Sequence, residues 1–209
     1  MNSELSISSL CGASWKALKS NIFSLVGIYV AFLVVVQMLG MLVSSLGVVG
    51  SVIQIVLSLV LAAAFGLGYA RNCKQALEGD EPTFSVYSEY VPLWIVYIVV
   101  SLITGIVVSL GIILFIIPGM YLYLRLQFYP YIIMNERIDG MKAIGRSWKL
   151  TNGHVLDLLL IFFVQLGAVL LGLLCLLIGV FVAIPFGNLL TASAYFRLVD
   201  MYENNYISE

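Results

Sequence analysis

The sequence predicts an all-α polytopic membrane protein of about six transmembrane helices, arranged as three hairpins with added interfacial amphipathic helices. Three observations carry this. The 209 residues are 62% hydrophobic and 10% charged, with a mean hydropathy of +1.07, whereas a soluble domain carries about 25% charged residues. Apolar stretches of the length needed to cross a bilayer, about 20 residues, recur along the chain. The joints between them alternate between short uncharged turns and long charged segments.

The first span is expected at residues 22–43, the second at 48–70 and the third at 92–117. The fourth, 119–134, is short and holds Arg125 and Pro130; the fifth runs over 156–180 and the sixth over 186–199. The polar start of the chain meets no small-residue cleavage site, so the first apolar stretch is expected to remain as a span. Ser44–Gly47, Ile117-Pro118-Gly119 and Ile184–Gly187 read as tight turns, because proline lacks a backbone donor and glycine relaxes φ. The other joints, 71–91 and 135–155, are long and charged.

Charge then orients the whole. Lys16, Lys19, Arg71, Lys74, Arg137, Lys142, Arg146, Lys149 and Arg197 all fall near the termini or in the long joints, and the acids share those regions. Lys and Arg are enriched in cytoplasmic loops. Both termini are therefore expected inside, with the plasma membrane (a bacterial inner membrane) as the location. A net charge of −1 gives no reason to expect nucleic acid. The partner it implies is the lipid bilayer; a homo-oligomer or a membrane partner is left open.

Two inside segments look like helices lying in the interface. In residues 4–20, Ile7, Cys11, Trp15, Leu18 and Ile22 share one face; in 139–151, Met141, Ile144 and Trp148 do, and Asn152-Gly153 supplies a stop. The two also match each other. Ser14-Trp15-Lys16 corresponds to Ser147-Trp148-Lys149, and Tyr69-Ala70-Arg71 to Tyr195-Phe196-Arg197, which suggests a direct repeat. Parallel repeats of this kind occur in transporters.

Residues 116–157, IIPGMYLYLRLQFYPYIIMNERIDGMKAIGRSWKLTNGHVLD, together with Gly79–Phe84, resemble the membrane domain of bacterial glycerophosphodiester phosphodiesterases and related multi-pass inner-membrane families. In those enzymes the chemistry belongs to a separate soluble domain, for which these residues leave no room. The resemblance therefore implies a membrane module and no activity.

The residues themselves offer little chemistry. One histidine, His154, has no second His for a metal pair, though Asp157 follows it at i+3. Neither a metal nor a cofactor is expected. The run Glu78, Asp80, Glu81 reads as a solvated loop, and Cys11, Cys73 and Cys175 as small packing residues. Ser58, Ala62, Gly66 and Ala70, and Ser101, Gly105 and Ser109, recur every fourth residue, as close-packed helix faces or oligomer surfaces do. Arg125 is the one charge counted deep within a span, Asp157 and Arg197 falling at span ends; such a residue costs roughly 2.5–3.5 kcal/mol. It is expected to face the bundle and to reach oxygens such as Gln165, backbone carbonyls or Asp157. Arg125, Gln165, His154 and Asp157 are thus the candidate binding residues. The function that fits is a non-enzymatic membrane module that serves envelope structure or binds a partner or lipid. A small transporter or channel is the alternative, and an enzyme acting on lipid head groups a weaker one. A polar cavity reaching mid-membrane would favour transport.

Overall fold

A computed structural model describes residues 5–174 and 179–207; Cys175 lies outside them. The described residues form helices and connecting turns, and five segments are long and apolar enough to cross a membrane: Ile22–Val43, Gly47–Glu78, Val91–Leu114, Val155–Leu174 and Val180–Asn204. The protein is an all-α polytopic membrane protein.

The first unit is a short helix and a hairpin: α1 (Ile7–Ser20), α2 (Ile22–Ser44) and α3 (Gly47–Glu78). Asn21 breaks the helix between α1 and α2, donating its amide to the Ala17 and Leu18 carbonyls. Gly47, at φ +58, makes the α2–α3 turn. α3 runs eight residues past the expected end of its span and stops at Gly79, at φ +94. Much of the charged joint 71–91 is therefore helix.

The second unit comprises α4 (Val86–Glu89), a 3₁₀ turn at Val91–Leu93, α5 (Trp94–Leu114), α6 (Ile116–Leu126) and α7 (Tyr129–Glu136). Here two expectations are corrected. The chain reverses at Phe115, which is extended at φ −156 and ψ 132, rather than at Ile117–Gly119. Pro118 instead sits in the first turn of α6, where no backbone donor is needed. Gly119 faces α5 so closely that a Cβ there would strike the Ile112 backbone. The fourth span is also not one helix. It breaks at Gln127-Phe128, because Pro130 has no N–H to give the Leu126 carbonyl.

The third unit is α8 (Gly140–Leu150), α9 (Val155–Leu174) and α10 (Val180–Ile207). Gly153, at φ +83, supplies the expected stop after α8. The expected turn at Ile184–Gly187 is wrong: α10 continues through Pro185. Proline near the start of a membrane helix removes one bond that neighbours can replace. The Asn188 amide donates to the Ile184 carbonyl at 3.0 Å, one turn from that proline. The α9–α10 hairpin closes earlier, where Gly172 and Gly179 touch backbone to backbone.

These units pack in a ring. α3, α6–α7 and α10 form the inner helices, and α2, α5 and α9 lie outside them. Each outer helix packs on its own inner helix and on one neighbour: α2 on α3 and α10, α5 on α6 and α3, α9 on α10 and α6. Each short helix covers the inner helix of the unit before it. α4 lies on α3, α8 on α7, and α1 closes the ring on α10. The inner helices each bring a buried tyrosine to the middle, Tyr69, Tyr131 and Tyr195.

The direct repeat lies within this ring. The starts of α1 and α8, α2 and α9, and α3 and α10 are each 133 positions apart. Burial follows the same offset: Leu10 with Ala143, Ser14 with Ser147, Ala17 with Leu150, Leu25 with Leu158 and Ile28 with Ile161 are all buried. Tyr69 and Tyr195 lie 126 positions apart. The third unit's hairpin is therefore seven residues shorter than the first, roughly two helical turns. The tip of the first unit is apolar, with Met38, Leu42, Val48 and Val49 exposed.

One face prediction needs refining. α1 turns Leu10, Ser14, Ala17 and Leu18 to the bundle, while Trp15 from the expected apolar face is about half exposed. α8 repeats this with Ala143, Ser147 and Leu150 buried and Trp148 exposed.

Candidate ligand cavity

Between the inner helices lies a cavity of about 550 Å³, within the range of about 300–1,000 Å³ common for small-molecule sites. Its walls follow from small residues. Ala62, Gly66 and Ala70 line it from α3, and Ser101, Gly105 and Ser109 from α5. These are the two stripes that the sequence offered as close-packing faces. Here they make room instead: a Cβ on Gly105 would meet nothing within 4 Å. Gly66 makes room for a neighbour, since its Cβ would sit 2.5 Å from the Tyr97 hydroxyl.

Larger side chains close the rest. Tyr123 comes from α6, Gln127 from the break after it, Tyr129 and Tyr131 from α7, Asn188 and Thr191 from α10. The helix break between α6 and α7 forms part of the lining, with the Tyr129 ring 5.6 Å from that of Tyr97. Phe32, Phe65 and Tyr69 stack in series along another wall, at centroid distances of 4.0 and 4.9 Å. In the wall itself Tyr131 stacks on Tyr195 and donates to the Asn188 carbonyl at 3.0 Å. No Lys, Arg, Asp, Glu or His is among the described residues that line it. Gly105 and Ser109 are exposed on α5 and also line a shallow groove on its outer surface. The cavity thus opens sideways, on an apolar flank of a spanning helix.

Toward the charged end, side chains clamp the inner helices together. Lys74 of α3 donates to Asn135 of α7 at 3.0 Å and lies 5.3 Å from the Phe196 ring of α10. Arg146 of α8 pairs with Glu136 at 3.3 Å and stacks 4.6 Å from the Tyr202 ring.

The four candidate residues do not assemble. Arg125 is buried and faces the bundle, as expected, and its partners lie on α6 and at the end of α8. Its guanidinium donates to the Tyr121 hydroxyl (2.9 Å), the Trp148 carbonyl (3.1 Å), Thr151 (3.3 Å) and Asn152 (3.4 Å). The Trp148 ring stacks on it at 4.5 Å, and Ser147 donates to the Arg125 carbonyl at 2.7 Å. Four acceptors and an aromatic face account for a buried cation with no acid beside it. Gln165 is turned the other way, donating to the Gly187 carbonyl (3.1 Å) and Thr191 (2.9 Å) of α10. His154 and Asp157 do meet, at 3.2 Å, at the start of α9. Sequence reasoning missed Tyr97, Gln127, Asn188 and Thr191. The signal that could have found the cavity was the pair of small-residue stripes.

No family model, curated protein or solved structure matches this chain.

Proposed function

We propose that this chain is a non-enzymatic membrane module that takes a membrane-borne ligand into the cavity between its inner helices. The observation that carries the reading is the sideways opening of an uncharged, hydroxyl-bearing cavity onto an apolar flank. A molecule from water would have to cross lipid to reach it, and a molecule already in lipid would not. The likeness of residues 116–157 to the membrane domain of bacterial glycerophosphodiester phosphodiesterases fits a membrane module, and we place it in a bacterial inner membrane with both termini cytoplasmic.

Gly105→Trp tests this. A Cβ on Gly105 would meet nothing within 4 Å, so this is the rim position where an indole is best tolerated. Wild type and variant are purified in mild detergent, extracted and compared by mass spectrometry. A species retained by the wild type and lost from the variant, at equal thermal stability, supports the reading. Equal content in both overturns it.

Transport is the second reading, favoured by the broken α6–α7 helix beside the cavity, since discontinuous helices line substrate sites in transporters. It requires the Lys74 and Arg146 clamps to open. Movement of the retained species across proteoliposomes, blocked by Gly105→Trp, distinguishes it from binding alone.

A further inference from the structure

We propose that the ligand is an uncharged amphiphile, a slim hydrocarbon chain ending in a hydroxyl or carbonyl group, and that Thr104 is its polar contact. This rests on the cavity being a ligand site. Thr104 lies midway along α5 and lines the cavity, yet its hydroxyl is buried without a hydrogen-bond partner. A hydroxyl left unmade in a low-dielectric interior is costly, and a ligand atom is what would satisfy it. Threonine populates two χ1 wells in a helix, so the hydroxyl can swing without moving the backbone. The exposed rim at Gly105 is the next residue, which places the polar contact just inside the mouth.

Charge then selects the ligand class. A phosphate drawn to the middle of a spanning helix needs a cation, and the described lining holds none. Arg125 is not among the residues lining the cavity and spends its donors on Tyr121 and α8. A neutral hydroxyl or carbonyl needs only one partner. The tyrosine and phenylalanine rings along the wall suit the chain behind it.

Three photoreactive probes in nanodiscs decide this: a long-chain alcohol, the same chain as its phosphate ester, and the chain with no head group. The alcohol is expected to label the α3 and α5 walls, and the phosphate ester to compete poorly. Thr104→Val keeps the shape and removes the hydroxyl. It should weaken alcohol binding about fivefold, the worth of one neutral hydrogen bond, while leaving the headless chain unchanged. Thr104→Ser should restore the difference. If the phosphate ester binds as well as the alcohol, the class is wrong. If Thr104→Val has no effect while the alcohol still labels the walls, the contact is wrong but the cavity remains a site. If no probe labels the walls and Gly105→Trp changes nothing, the cavity reading itself falls.

Discussion

A single arginine shows how far a residue's surroundings can be read before its neighbours are known. Burial of Arg125 and its need for oxygens followed from the chemistry of a guanidinium in a span. A backbone carbonyl among its partners was also expected, and Trp148 supplies it; which carbonyl and which side chains did not follow, because the seat of α8 on α6 is set by packing. The geometry makes Arg125 an anchor between α6 and the end of α8. Arg125→Leu leaves the Trp148 carbonyl and Thr151 short of a donor, so it should lower stability by about 1–3 kcal/mol. Retention of the cavity ligand should survive, because Arg125 is not part of the wall. Arg125→Lys keeps the charge but loses the planar fork, and should fall between the two in thermal unfolding. A melting temperature that rises in Arg125→Leu would show that apolar packing replaces the network, as happens at some buried ionic sites. Two glycines give a sharper contrast. A Cβ on Gly68 would enter the Tyr87 ring, whose hydroxyl accepts from Asn72 at 3.2 Å. Gly68→Ala should therefore cost about 1–3 kcal/mol. Gly12 in α1 has open space around it, so Gly12→Ala should gain about 0.5–1 kcal/mol from helix propensity. Paired unfolding curves check both signs.

Among the elements, apolar length located the spans well, and proline and glycine located the turns unevenly. Proline reads as a stop, yet Pro118 and Pro185 both lie inside helices. Pro118 is the third residue of α6, where the missing donor has no intrahelical partner to lose, and Pro185, the sixth of α10, gives up one bond without ending the helix. The α9–α10 reversal is fixed instead by contact between Gly172 and Gly179, a tertiary fact with no local signature. The small-residue stripes were legible as special but not as a cavity, since the same pattern serves close packing and open space. Only the facing of α3 and α5 decides between them. Pro130 is the proline that does break its span, and the break lines the cavity. Pro130→Ala would return a donor to the Leu126 carbonyl and let α6 and α7 join. Tyr129 and Tyr131 would then shift. We expect stability to hold or rise while ligand retention drops, measured by unfolding and mass spectrometry on the same preparation. Unchanged retention would show that the cavity does not need the break.

For the whole molecule, the ring of three units explains why charge collects at one end. The described hairpin ends leave and return on the side of the short helices, so the charged joints fall there, and the described tips, α2–α3 and α5–α6, carry no charge. The sequence showed two of these units through their Ser-Trp-Lys signatures. The second unit carries no such triplet before its hairpin, and only its packing reveals the kinship. The same geometry fixes which sites each side of a membrane can reach. Ser45 at the α2–α3 tip and Ile117 at the α5–α6 tip are exposed at one end. Asp80 after α3 and Lys142 in α8 are exposed on the segments joining the units. Lys and Arg are retained on the cytoplasmic side, so the tips should face out. In a background with Cys11, Cys73 and Cys175 replaced by alanine, Ser45→Cys and Ile117→Cys should react with an impermeant maleimide added to intact cells. Asp80→Cys and Lys142→Cys should react only after the membrane is opened. Gly187, which the sequence placed in a turn, is a poor reporter because it packs beside Gln165 within α10. The reverse labelling pattern would invert the protein in the membrane without altering its fold. Labelling at a tip and a joint from the same side would mean that the hairpin between them does not cross, and the second unit, with its broken helix, is where such a failure would appear first.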